Sequence, residues 1–104
     1  MLKNFRTYQI AVEFYRLSRT LILPRHLKEQ LARAASSVAL NVAEGAGRQT
    51  KADQKRFFTI AFGSLREAQA IIELALAAST PAWQEADKLA AHLYRLIQSC
   101  ERRG

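Results

Sequence analysis

The chain has one cysteine, two prolines, four glycines and one tryptophan among its 104 residues. A lone Cys100 excludes an internal disulfide and a cysteine-based zinc cage, and such cysteine usage fits a reducing, cytoplasmic setting. So few glycines and prolines cannot supply the tight turns of an all-β protein. Every apolar run is broken by a polar or charged residue well short of bilayer length, and no basic stretch followed by an apolar run opens the sequence. Neither a membrane span nor a secretory leader is therefore expected. Acidic residues are also in the minority, nine against sixteen Lys and Arg, which leaves a net charge of +7. That balance excludes an anion-repelling surface. It does not name a partner, because net charge also serves solubility.

What is present is apolar and helical in rhythm. With 49% apolar and 24% charged residues the chain is globular. Its length is that of one domain, residues 1–104, with a single small core. Leu23-Pro24, Gly45-Ala46-Gly47 and Ser79-Thr80-Pro81 break the pattern, and between them apolar residues recur every three or four positions. The first segment, from about Asn4 to Leu23, carries Ile10, Phe14, Leu17 and Leu21. The second opens on Pro24, a residue tolerated in a first turn, and carries Leu27, Leu31, Ala34, Val38 and Val42. It is expected to stop after Glu44, at Gly45. The third has Thr50 as N-cap with Asp53 three residues on, a capping-box spacing. It continues to about Ala78 through Phe58, Ala61, Leu65, Ala68 and Ile72. Thr80-Pro81 starts the fourth, in which Trp83, Ala86, Ala90, Leu93, Ile97 and Cys100 alternate by three and four up to the basic end at Arg102 and Arg103. Short connections imply antiparallel neighbours. The predicted fold class is all-α, an up-down-up-down antiparallel four-helix bundle.

The third helix has more apolar surface than one bundle core needs. Beside its main stripe run Ile60, Ile71, Leu74 and Ala78, and Phe62 extends the arc on the other side. On the second helix Ala32, Ser36, Ala39 and Ala43 form a ridge of small residues that lets another helix approach, with Leu40 next to them. A helix apolar over most of its circumference must be covered on two sides, so these residues are the candidate interface of a homo-oligomer. The competing reading packs the second stripe more deeply within a single bundle.

The middle of the chain carries a recognisable pattern. Gln30-Leu31-Ala32-Arg33-Ala34-Ala35-Ser36-Ser37-Val38, Asn41-Val42-Ala43-Glu44-Gly45, Arg48, Thr50 and Ile60-Ala61-Phe62-Gly63-Ser64-Leu65-Arg66-Glu67 resemble the four-helix-bundle proteins encoded in intervening sequences of bacterial 23S rRNA genes. The same family takes in the accessory variability proteins of diversity-generating retroelements. The resemblance runs from about Tyr8 through the third helix and more weakly over Trp83 to Ser99. It implies a bundle that assembles into a ring-like homopentamer with a basic surface and a non-enzymatic role. In that role it is bound to nucleic acid, or to a nucleic-acid enzyme such as a reverse transcriptase. The connection from Ala77 to Pro81 is shorter than in many relatives, which puts loop-borne functions there in doubt.

The residues themselves offer two basic clusters as nucleic-acid contacts. Arg48, Lys51, Lys55 and Arg56 surround the expected start of the third helix, where free amides and the helix dipole favour a phosphate. Arg16, Arg19, Arg25 and Lys28 gather at the first corner. Arginine suits bidentate phosphate contacts and stacking on bases. With little aromatic interleaving, backbone-dominated, weakly sequence-specific binding is expected, to RNA before DNA. Asn41, Glu44, Gly45, Gly63 and Ser64 are read as structural. Glu44 needs a partner at a helix C-terminus, and Gly63, in mid-helix, suggests a close helix contact. Arg19 and His26 formally meet the Arg-x4-6-His spacing of helical HEPN ribonucleases, but Pro24 falls inside it. No catalytic residue, metal site, cofactor or membrane partner is expected. His92 is read as a surface residue, and Cys100 as a small core residue.

Overall fold

The computed structural model describes residues 5–75 and 80–101. Within them lie four helices, α1 (Arg6–Arg19), α2 (Arg25–Ala46), α3 (Lys51–Ala75) and α4 (Pro81–Glu101), and no strand. Each helix packs on its neighbours in the chain, and α4 closes the ring against α1. Cross-helix contacts show α3 running antiparallel to α2 and to α4, and Gly45 at the end of α2 abuts Phe58 near the start of α3. Ser37 and Ser64 share a hydrogen bond of 2.8 Å between the middles of α2 and α3. Lys55, near the start of α3, pairs with Glu101 at the end of α4, Nζ to Oε2 at 2.8 Å.

The core follows the periodicity. Ile10 and Phe14 of α1, Leu31, Val38 and Val42 of α2, Leu65 and Ile72 of α3, and Leu89 and Leu93 of α4 are fully buried. Burying each large apolar side chain contributes about 1.5–3 kcal/mol. Helix starts follow local chemistry. The Asp53 N–H donates to Thr50 Oγ1 at 3.1 Å, and the Trp83 N–H donates to Thr80 Oγ1 at 3.2 Å. Thr50 and Thr80 thus cap the helices they precede.

Several ends differ from expectation. α1 stops at Arg19 and not at Leu23. The Ser18 hydroxyl donates to the Tyr15 carbonyl and the Thr20 hydroxyl to the Leu17 carbonyl, and Pro24 beyond disfavours helix in the residue before it. α2 runs through Gly45 to Ala46, and its capping residue Gly47 has φ −90°. Gly45 is thus no left-handed stop. It is there because a Cβ would stand 2.6 Å from Phe58 Cε1 and 3.2 Å from Phe57 Cβ. The expected termini at Asn4 and Ala78, the connection from Ala77, and Arg102 and Arg103 lie outside the described residues.

Three outer residues of α3 also move. Ile71, expected at the oligomer interface, is 4% exposed and belongs to the core. It lies two turns from Ser64, hence on the flank that α2 covers. Phe62 sits on the other flank, half-buried against the core, with the Arg66 guanidinium 4.8 Å over its ring. Gly63 supports no helix contact among the described residues, since a Cβ there would meet none of their atoms within 4 Å.

Candidate nucleic-acid interface

The bundle is long and narrow, with principal extents of 45 × 21 × 20 Å. The antiparallel course sends the two predicted basic clusters to opposite ends of it. Arg16, Arg19, Arg25 and Lys28 surround the α1–α2 turn. Arg48, Lys51, Lys55 and Arg56 surround the α2–α3 turn. All eight side chains are exposed. No single surface in one chain joins them.

Within each cluster the charges are unequal. Arg48 Nη2 donates to Glu44 Oε2 at 2.7 Å, which gives Glu44 a partner one turn away. Lys55 is paired with Glu101, and Arg25 lies 3.5 Å from Glu29. These exposed pairs add little stability, roughly 0–1 kcal/mol each, but they reduce the charge offered to a ligand. Lys51 and Arg56 at one end, and Arg16, Arg19 and Lys28 at the other, have no carboxylate partner among the described residues. An open cleft of about 330 Å³ is lined by Gly47, Arg48, Gln49, Thr50 and Asp53. Arg48 brings a cation to it and Asp53 an acid.

Several arginines rest on aromatic rings. Arg48 and Arg56 lie 4.6 and 4.5 Å from the Phe57 ring centre. Arg19 lies 5.7 Å from that of Tyr15 and donates to its hydroxyl at 2.8 Å. Such contacts hold the guanidinium in place while leaving donors for an anion. The Arg19 and His26 of the ribonuclease-like spacing belong to two different helices. Arg19 ends α1, and His26 is exposed in the first turn of α2.

The motif residues between α2 and α3 do packing work. Asn41 Nδ2 donates to the Ser37 carbonyl at 2.9 Å and to Ser37 Oγ at 3.1 Å, and Ser37 meets Ser64. On the outer side of the same helix pair Leu40 is 68% exposed, Ile60 43% and Leu74 78%. Ala32, Ser36, Ala39 and Ala43 are half-buried beside them. His92 is half-buried. Burial first, and then the positive charges of Arg95, Arg6 and Lys88, hold its pKa below the usual 6.5.

Two cations and an aromatic residue outside the predicted clusters emerge as well. Arg33 and Arg66 are exposed on α2 and α3, and Tyr94 is exposed on α4. Their isolation in sequence hid them, because spacing along one helix cannot show what faces it across a groove.

Among the described residues no three His, Cys, Asp or Glu side chains are placed to hold a metal, and no buried side-chain polar atom lacks a partner. No helix among them is long and apolar enough to cross a membrane. The fold and this surface define a small all-helical four-helix-bundle protein. More narrowly, the chain belongs to the 23S rRNA-intervening sequence protein family, whose model matches residues 5–80. The match spans α1 to α3 and ends before α4. No curated protein matches the chain at a significant level.

Proposed function

We propose that this protein is a non-enzymatic, self-associating helical bundle that binds nucleic acid, RNA in the first place, through contacts with the phosphate backbone. The exposed cations without a carboxylate partner carry the proposal, Lys51 and Arg56 at one end and Arg16, Arg19 and Lys28 at the other. Because these groups stand at opposite ends of α2, whose 22 residues span roughly 33 Å, assembly is what turns them into bands. Five copies, the number the family resemblance implies, would together carry about +35, five times the +7 of one chain. The exposed Leu40, Ile60 and Leu74 supply an apolar face for that association.

The test is fluorescence anisotropy of labelled structured RNA and duplex DNA across a salt series. If about four phosphates are engaged, log K falls against log salt with a slope of roughly −3 to −4. Lys51→Glu/Arg56→Glu and Arg16→Glu/Arg19→Glu report which end makes the contact. A flat salt dependence refutes binding by charge. Size-exclusion chromatography with light scattering tests self-association, and a monomer at micromolar concentration refutes it. A second reading rests on the same exposed leucines, that the face docks on a nucleic-acid enzyme such as a reverse transcriptase. It predicts that the assembled bundle binds such an enzyme and loses that binding on Leu40→Lys.

A further inference from the structure

We propose that the outer groove between α3 and α4 is a stacking platform for the bases of single-stranded nucleic acid, with Tyr94 and Arg66 as its stacking groups. The inference rests on the nucleic-acid reading and names the form of the ligand. The Lys55–Glu101 ion pair sets the register of the two helices. Phe62 lies seven residues along α3 from Lys55, and Tyr94 lies seven residues back along α4 from Glu101. Seven residues are nearly two full turns, so each aromatic residue keeps the flank of its ion-pair member. In antiparallel helices the two therefore stand at the same height beside one groove, about 10 Å from the ion pair at 1.5 Å per residue.

The three side chains at that level differ in a telling way. The Arg66 guanidinium lies 4.8 Å over the Phe62 ring, and its Nη1 donates to Gln69 Oε1 at 2.9 Å. Both contacts favour one orientation of the guanidinium, which lowers the entropy cost of binding a ligand there. Tyr94 is 58% exposed, and its hydroxyl and ring have no partner among the described residues. A large aromatic ring left bare on the α4 side of the groove, level with the Phe62 on which the Arg66 cation rests, matches the chemistry that receives an unpaired base. Every base has a π-face, while the cation answers the phosphate next to it. A duplex keeps its bases stacked inside itself, so the platform discriminates in favour of single strands.

The test compares anisotropy titrations of labelled oligouridine, oligothymidine and a mixed-sequence duplex with the wild type, Tyr94→Leu and Tyr94→Phe. Tyr94→Leu should weaken binding of both single strands about tenfold, with Tyr94→Phe restoring it and duplex affinity within about twofold of wild type. Circular dichroism confirms the helical fold of each variant. A folded Tyr94→Leu that binds single strands as the wild type does overturns the platform. So does an equal loss on the duplex. In both cases binding by the wild type leaves the nucleic-acid reading standing. A wild type that binds none of the three probes overturns both.

Discussion

Gly45 and Gly63 both lie inside helices, and the same substitution should act on them with opposite sign. An alanine in a helix interior is favoured over glycine by about 1 kcal/mol, because it loses less backbone freedom on folding. At Gly63 nothing opposes that gain, since a Cβ there meets no atom within 4 Å. Gly63→Ala should therefore raise the melting temperature by about 4–8 °C, the shift that about 1 kcal/mol produces in a domain of this size. At Gly45 the new Cβ would stand 2.6 Å from Phe58 Cε1 and 2.9 Å from Cδ1. Phe58 cannot swing aside, because it is buried in the core and tilts against Phe5 at 6.5 Å between ring centres. Overpacking of this kind costs about 1–3 kcal/mol. Set against the gain in helix propensity, Gly45→Ala should lose up to about 2 kcal/mol and up to about 16 °C. Thermal melts followed by far-UV circular dichroism at two protein concentrations measure both. A Gly45→Ala protein that melts at or above the wild type refutes the close-approach account of Gly45. A Gly63→Ala protein that melts lower shows that Gly63 is covered, and the concentration dependence of the melt then tells whether a second copy covers it.

Two smaller perturbations follow from the same structure. Thr50→Ala removes the side-chain acceptor of the Asp53 N–H at the start of α3 and should cost about 1 kcal/mol by urea denaturation. A Thr50→Ser variant that fails to retain most of that stability would contradict the capping role. His92 takes up a proton less readily in the folded chain than its ordinary value of 6.5, through burial and then Arg95, Arg6 and Lys88. The unfolded chain therefore binds the proton first as pH falls. The stability associated with neutral His92 is present above about pH 6.5 and is lost progressively below it, down to the folded pKa. Urea midpoints of the wild type should fall more between about pH 7 and about pH 5 than those of His92→Gln. Parallel pH profiles for the two proteins would show that neither burial nor the charges of Arg95, Arg6 and Lys88 lower the imidazole's pKa.

The helices were legible in the residues because they obey local rules. Threonine caps and the proline at the start of α4 act within one turn, and the recurrence of Phe14, Leu31, Leu65 and Leu93 with their neighbours needs no knowledge of the partner helix. A bundle follows from four such stripes and three short connections. The interface was only partly legible. A helical wheel shows that α3 is apolar on two sides, but it cannot show which side α2 takes. Ile71 went to the core because α2 covers its flank, and Phe62 went to the other flank beneath Arg66. Gly45 had the composition of a helix stop, and only the approach of Phe58 across the bundle explains it.

Charge divides in the same way. The excess of cations and its arginine bias belong to the sequence alone. Which cations remain available was decided by tertiary structure, because Glu44 and Glu101 neutralise Arg48 and Lys55 while Lys51 and Arg56 have no such neighbour. Periodicity and capping involve interactions over a few residues, and they can be read along a single strand of text. Burial, ion pairing across helices and the groove that brings Tyr94 level with Phe62 depend on distances between residues far apart in the chain, and these exist only once the helices have packed.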